Sequence, residues 1–476
     1  MERAVDLLHE IYGEIPEWPG IDLRRKMLPW EQRHAQGKAI RTRVPRGSHG
    51  AWSPPKERPD PLSLLGESDR DRVKKLIPLR MGRMAASRFG FLRGSAVVMA
   101  WDLAHTPVTG VHVLMDGDAH LSNFGLFGTV ERDVVLDLND FDESIVGPWE
   151  WDLKRLIASV NVAARDLGLD PKRRKEAVES CIDGYSWEIR RLESKGAFEI
   201  WHMFLFTDRN ATDIQLDPAA EPIVREATKR ADLRTSESLL DEVAERGPRG
   251  AWHLREDPPV QSRVPARTRH RIIDALDRYA LTLPRDRRYL LSHYHVVDVV
   301  EHVVGVGSVG TRAYLVLMFG NGEKDPLFLQ MKEAVAPAAT PYVPKLPEEF
   351  VGDQGRRVIT AQTALNGSPD ILLGWTRMDD RSYYVRQMRN MKGSVPIDEL
   401  KGRSFPLYVR LCGAILARAH TRGGDAAMIS GYWGKSDVLD RALVEFAERY
   451  GDQTEADHAA LVKAIEDGRV KAITGV

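Results

Sequence analysis

Two hydrophobic periods take turns along the chain. Between residues 69 and 104 the segments RDRVKKLIPLRMGRMAAS and AVVMAWDLAHT place apolar residues at helical spacing. Two short β-rich runs follow at 111–115 (VHVLM) and 133–138 (DVVLDL), separated by the loop DGDAHLSNFGLFGT. A helix is predicted over 149–166. Residues 171–290 read as mostly helical, interrupted by Pro-rich loops such as DPPVQSRVPA. After residue 291 the pattern becomes strand-like. Residues 296–304 lead into GVGSVG, then TRAYLVLMF, the turn NGEKDP and LFLQMKEA. A helix (QGRRVITAQTAL) and two strands (ILLGWTRM, SYYVRQM) come next, and the chain is helical from about residue 406.

These shifts divide the chain. Residues 1–68 form an N-terminal extension rich in Arg, Pro and Gly, expected to wrap over another part. Residues 69–170 and 396–476 belong to a larger lobe, 171–290 to a mostly helical insertion, and 291–395 to a β-rich lobe. Together they predict an α+β, two-lobed protein. The segment VPRGSH at 44–49 looks like a protease-site scar. It lies well inside the chain behind a native-looking segment and is read as native.

Composition narrows the function. The 476 residues carry 68 basic and 69 acidic side chains, so no global charge argues for nucleic acid or an anionic membrane. Neither a signal-peptide core nor an apolar run of about 20 residues is evident. Cys181 and Cys412 fit no CxxC pattern, which points to a reducing cytoplasm.

The loop Asp116-Gly117-Asp118-Ala119-His120-Leu121-Ser122-Asn123 carries the first chemistry. An Asp followed five residues later by an Asn, after a short strand, has the spacing of a kinase catalytic loop. Phosphoryl transfer needs a carboxylate to orient the attacking hydroxyl and accept its proton, with an oxygen ligand for Mg²⁺ close by. Asp118 is the candidate base, His120 a catalytic-loop residue that orients the loop, and Asn123 a metal ligand. The acidic run 137–143 (DLNDFDE) follows the next strand and offers a strand-end carboxylate as a second metal ligand, with Asp137 and Asp140 both candidates. A metal-only reading would instead have Asp116, Asp118, His120 and Asp140 ligate a hydrolytic centre.

The second constellation lies late in the chain. Gly305, Gly307, Ser308 and Gly310 stand in GVGSVG, a GxGxxG match whose flanks are strands. A dinucleotide loop would lead into a helix; one joining two strands has the geometry of a loop folded over ATP phosphates. The following strand ends in Lys332, placed to hold phosphates by charge. Glu348, Glu349 and Gln362 are candidate partners for that lysine, and 383–388 a candidate lead into an adenine-side hinge. Arg80, Arg83, Arg88 and Arg93 cluster in the helical segment, either as a salt-bridged face or facing an anion.

The order of the two constellations is reversed relative to ordinary kinases, and a circular permutation reconciles them. The stretch YVRLCGAILARAHTRGGD resembles the helix that normally enters a catalytic loop, with residues 96–105 as its rival. No Asn stands five residues after Asp425, so Asp425 is read as structural.

The segments VPRGSHGAW, LIPLRMGRMAASRFGFLRG, GDAHLSNFG, LDLNDFDESIVGPWEWDLKRL, VGVGSVGTR and LARAHTRGGD resemble a bacterial family known as domain of unknown function 2252 (DUF2252). The stretch NDFDESIVGPWEWDL also looks like the metal-binding segment of aminoglycoside phosphotransferases. That likeness implies a magnesium ligand at Asp140 and a structural helix residue at Asp152. The expectation is a kinase-like, circularly permuted phosphotransferase using ATP and Mg²⁺, acting on a small-molecule hydroxyl or a protein acceptor. Nucleotidyl transfer, a nucleotide-binding pseudokinase and a metal-dependent hydrolase are the alternatives.

Overall fold

The computed structural model of the protein describes residues 26–203, 221–248, 250–303, 305–343, 352–388, 391–400 and 402–475. The chain opens with α1 (Trp30–Ala39), followed by α2 (Ile77–Ala85), α3 (Arg88–Gly94) and α4 (Ala96–Ala104). Four short strands come next: β1 (His112–Met115), β2 (Phe124–Gly128), β3 (Val134–Leu138) and β4 (Ile145–Pro148). β1 pairs with β4 and β2 with β3, both antiparallel. Helix α5 (Trp149–Asp166) is buried nearly all round, its charged Glu150, Asp152, Lys154 and Arg155 included. Helix α6 (Pro171–Leu192) starts where Asp170 caps the Arg173 N–H with proline in the first turn. Periodicity located β1, β3 and α5; β2 and β4 are glycine-containing strands that it did not show.

The second half builds a six-stranded antiparallel sheet. Helix α7 (Ser236–Val243) and the pair β5 (Ala244–Arg246) and β6 (Trp252–Leu254) precede β7 (Gln261–Arg263) and α8 (Ala266–Thr282). Then come β8 (His295–His302), β9 (Ala313–Gly320), β10 (Gly322–Ala334), helix α9 (Gln354–Leu365), β11 (Gly374–Met378) and β12 (Arg381–Gln387). The sheet order is β11-β12-β10-β9-β8-β7. One face packs Val316, Leu329, Met331 and Val385 on Ile272, Ala275 and Tyr279 of α8. The other packs Leu315, Leu317 and Phe328 on Leu239, Leu240 and Leu254. The β-rich body therefore begins before the boundary expected at residue 291: β7 is its edge strand and α8 covers it.

From β12 the chain crosses to the other body. Strand β13 (Gly393–Ser394) pairs with β2, and α10 (Ser404–Gly423), α11 (Ala426–Trp433) and α12 (Val438–Glu466) return to the early helices. The described part of the extension, from residue 26, lies over α11. Arg41 donates to the Tyr432 carbonyl at 2.9 Å and Arg46 to that of Trp433 at 2.6 Å. His49, inside VPRGSH, is buried and bonds the Tyr432 hydroxyl at 2.8 Å. The result is an α+β protein whose early and late segments share one core. Among the described residues no helix is long and apolar enough to cross a membrane.

Helices α6 and α10 touch backbone to backbone. A Cβ on Gly184 would lie 2.0 Å from the Arg410 carbonyl oxygen, and one on Gly413 2.1 Å from that of Cys181. The two thiols are buried and free. A branched side chain forces these helices apart, an overpacking that costs about 1–3 kcal/mol. Gly413→Val is expected to lower the thermal midpoint by several degrees, whereas the exposed Gly196→Ala, whose added Cβ meets nothing within 4 Å, leaves it unchanged.

Candidate functional site

The loop after β1 turns at Gly117, where φ is +82° and an added Cβ would lie 1.9 Å from the Glu143 carbonyl oxygen. Only glycine fits that close approach. One face of α5 carries the loop from beneath. Asp152 accepts the Asp116 N–H at 2.7 Å and the Gly117 N–H at 2.9 Å. Three residues on, Arg155 grips Asp118 Oδ1 through Nε at 2.7 Å and Nη2 at 2.6 Å. Four further on, the Ser159 hydroxyl accepts the Leu121 N–H at 3.1 Å. Helical spacing puts all three on one face. His420 of α10 bonds Asp152 at 3.1 Å and the Tyr185 hydroxyl at 2.7 Å, so a helix from the far end of the chain braces the loop. Of the two rivals for the helix at the loop, α10 supplies this brace and Arg418, while α4 supplies Met99 against Arg155.

Burial pushes the Asp118 carboxyl up to about 7; Arg155 opposes the rise, while Glu143 and Asp140 add to it. His120 Nε2 lies 3.7 Å from Asp118 Oδ2, beyond hydrogen-bond range, and its ring meets Phe89 edge-on at 6.2 Å. Burial, with Arg93 and Arg155 nearby, pushes His120 well below the usual histidine range and keeps it neutral. Asn123 commits its NH₂ to Asp116 Oδ2 at 2.9 Å, the Asp118 carbonyl at 3.3 Å and the Asp140 carbonyl at 2.9 Å. The end left over is Oδ1, a hard oxygen of the kind Mg²⁺ takes.

The late constellation meets the early one here. Lys332, buried on β10, pairs with Asp142 Oδ2 and stands 3.8 Å from Asp140 Oδ2. Burial would raise Asp140, yet Lys332, Arg386 and Lys392 outweigh it and hold the carboxyl at about 2. The same acids keep Lys332 protonated against its own burial. Strand pairing explains the companions. Lys332 faces Tyr384 and Gln330 faces Arg386 across β10 and β12, so these side chains share one sheet face. Arg386 bonds Gln330 at 3.1 Å and the Asn139 carbonyl at 3.1 Å. Burial, reinforced by Arg386, pushes Lys392 down to about 7.

Among the described residues the ion-pair partners of Lys332 are Asp142 and Asp140. Gln362 is buried with Oε1 unpaired, Glu348 and Glu349 lie outside the described residues, and Asp142 and Asp140 take the lysine. Arg357 of α9 locks this junction by donating to the carbonyls of Asp142 (2.7 Å), Ser144 (2.5 Å) and Val335 (2.9 Å). Asp137 is turned away and holds Arg418 at 3.0 Å and the Gly367 N–H at 3.1 Å. Asp425 caps α11 and binds Arg33 at 2.7 Å, a structural place as expected.

The glycine-rich turn joins β8 to β9, and Gly305 (φ +71°) and Gly310 (φ +93°) need left-handed backbone. The Ser308 carbonyl closes it on Thr311 at 3.1 Å. Its outer side is clasped by Arg72, donating to the Val309 carbonyl at 2.7 Å, and by Arg83, donating to that of Gly305 at 2.6 Å. The arginine cluster splits. Arg80 binds Asp69 and the Gly94 carbonyl, and Arg88 binds Glu455 and Asp166, so both are structural. Arg83 and Arg93 face the turn.

Arg155, Asp142, Arg386 and Lys392 were not singled out by motif. Helical spacing from Asp152 marks Arg155, and strand alternation from Tyr384 marks Arg386; Lys392 carried no such signal. Among the described residues no three His, Cys, Asp or Glu side chains gather to hold a metal. Asp116, Asp118, His120 and Asp140 therefore do not form the four-ligand centre considered above: Asp116 is taken by Asn123 and Asp118 by Arg155.

The fold and site define an α+β protein in which Lys332, Arg386 and Lys392 gather around the acids Asp140 and Asp142. A family model described as "Uncharacterized protein conserved in bacteria (DUF2252)" matches residues 72–464, and the chain belongs to that family. No curated protein matches the chain, and no solved structure does.

The clamp under the loop is directly testable. Asp152→Ala leaves two backbone donors and His420 without their acceptor, at roughly 1–3 kcal/mol for each unsatisfied group. The urea midpoint is expected to fall, and amide exchange at residues 116 and 117 to accelerate more than at the core of β9.

Proposed function

We propose that the protein is an ATP·Mg²⁺-dependent phosphotransferase with a kinase-like, circularly permuted architecture. The observation that carries this reading is the meeting of Lys332 with Asp140 and Asp142, which lie about half the chain apart in sequence. Followed in space, β8, the glycine-rich turn, β9, β10 with its lysine, α9, β11, β12, the crossing segment and α10 succeed one another as the parts of a kinase do. The loop 116–123 and Asp140 complete the series from the start of the chain. The residues fit the implied ligands. Mg²⁺ is usually held by one or two protein groups plus substrate phosphates, and Asn123 Oδ1 with Asp140 supplies that set without a three-residue cluster. When bound, ATP·Mg²⁺ supplies the phosphoryl group and neutralises its charge.

The chain's own residues have distinct tasks. Asp118 orients the acceptor hydroxyl and takes its proton; Arg155 fixes the carboxylate's direction and keeps its pKa from rising further. Lys332, Arg386 and Lys392 would offer positive charge to the nucleotide phosphates, and the backbone of Gly305, Gly307, Ser308 and Gly310 would cover them. His120 fills the loop and stays neutral. The site favours a small-molecule hydroxyl, with a protein hydroxyl as the second class of acceptor.

Asp118→Asn is expected to abolish turnover, by 10³-fold or about that order, while MgATP binding is kept; full activity in this variant overturns the role. Appearance of label in product from γ- but not α-labelled ATP distinguishes phosphoryl from nucleotidyl transfer. Because Asp118 acts ionised, kcat/KM should rise with pH and level off above about 7. Removing the nearby cation in Arg155→Met favours the protonated carboxyl, so the rising limb should move to higher pH in that variant.

A further inference from the structure

The residue left unused by this reading is Arg93, at the C-terminal end of α3. The carbonyls on either side of it are engaged. Leu92 O accepts Arg155 Nη2 at 2.8 Å, the same guanidinium that grips Asp118. Gly94 O accepts Arg80 Nη2 at 2.6 Å. Arg93 O itself faces the glycine-rich turn, where a Cβ on Gly307 would stand 3.1 Å from it. The backbone at 92–94 is therefore tied through Arg155 to the catalytic loop and through Arg80 to Asp69, and it lies close to the glycine-rich turn. Its position does not rest on the side chain.

Among the described residues the Arg93 side chain has no hydrogen-bond or ion-pair partner. Its Nε is buried with no hydrogen bond, and among the described residues no acid forms an ion pair with it. The acids whose charges act on it are Asp118 and Asp140, the candidate base and candidate metal ligand. A guanidinium that feels the charges of Asp118 and Asp140, on backbone that faces the glycine-rich turn and with a buried unsatisfied donor, offers an oxyanion site. Lys332 pairs with Asp142 beside Asp140 and Arg386 reaches the Asn139 carbonyl, so Arg93 is a further cation acting on Asp140.

We infer that Arg93 binds the terminal phosphoryl group of the nucleotide, between Asp118 and the glycine-rich turn, as an arginine supplied from the chain's own α3. This deepens the proposed reaction and rests on it. The cation would meet charge on the transferring phosphoryl oxygens, a contact that a nucleoside diphosphate does not make.

The test is calorimetry of the full chain with MgATP and MgADP, on wild type, Arg93→Gln and Arg93→Lys. Wild type is expected to prefer ATP over ADP by about tenfold or more, one charge-assisted contact being worth roughly 1.5–3 kcal/mol. Arg93→Gln should lose that preference by weakening ATP alone, and Arg93→Lys should recover part of it. Equal weakening of ATP and ADP, or no change, overturns the assignment while leaving the nucleotide site in place. If wild type binds neither nucleotide, the phosphotransferase reading fails first. If inorganic phosphate with MgADP restores what Arg93→Gln loses, or binds wild type and variant alike, Arg93 is not the terminal phosphoryl site.

Discussion

The buried pairing of Lys332 with Asp142 and Asp140 is the contact on which the site depends. Sunk in the protein, each charge would be costly alone. Together they hold Asp140 ionised and Lys332 protonated, and they fix the end of β10 against the turn after β3. Arg357 and the Glu143–Ala338 hydrogen bond, 2.6 Å long, reinforce the same junction through backbone carbonyls and amides. In the proposed reading this arrangement would receive a metal and phosphates, because the acids already share their counter-charge with a lysine that an incoming anion can engage.

The second constraint is the face of α5. Asp152, Arg155 and Ser159 hold the loop at its backbone, its candidate base and its far end. A loop of this kind is precise only if its supports are rigid, and α5 is buried along nearly its whole length. The brace from His420 explains why the C-terminal helices must return to the N-terminal ones. The residues that steady Asp118 are drawn from both ends of the sequence, and the close α6–α10 contact at Gly184 and Gly413 holds the returning helix in register.

Local features were legible and long-range ones were not. The Asp118–Asn123 spacing, Asp140, the strand–glycine turn–strand pattern and Lys332 are each written within a dozen residues, so period and motif reach them. The lysine's partner is set by tertiary packing between segments far apart in sequence. Motif reasoning therefore looked to Glu348, Glu349 and Gln362, and the structure gives Asp142 and Asp140. The edge strand β7 and the two-residue β13 are too short to carry a period, and β2 is half glycine-flanked. The arginine segment was ambiguous for a related reason. Four arginines on adjoining helices look alike in sequence, and only the carbonyls and acids around them separate Arg80 and Arg88 from Arg83 and Arg93.

The central claim is that the late lysine and the early acids form one nucleotide site. Calorimetric titration of wild type and Lys332→Met with MgATP tests it most directly, with thermal unfolding to show that both proteins are folded. Saturable binding by wild type that weakens by tenfold or more in the variant is the result predicted here, in line with loss of a buried charge contact of about 1.5–3 kcal/mol. Absence of MgATP binding by folded wild type, or binding indifferent to Lys332, would contradict it.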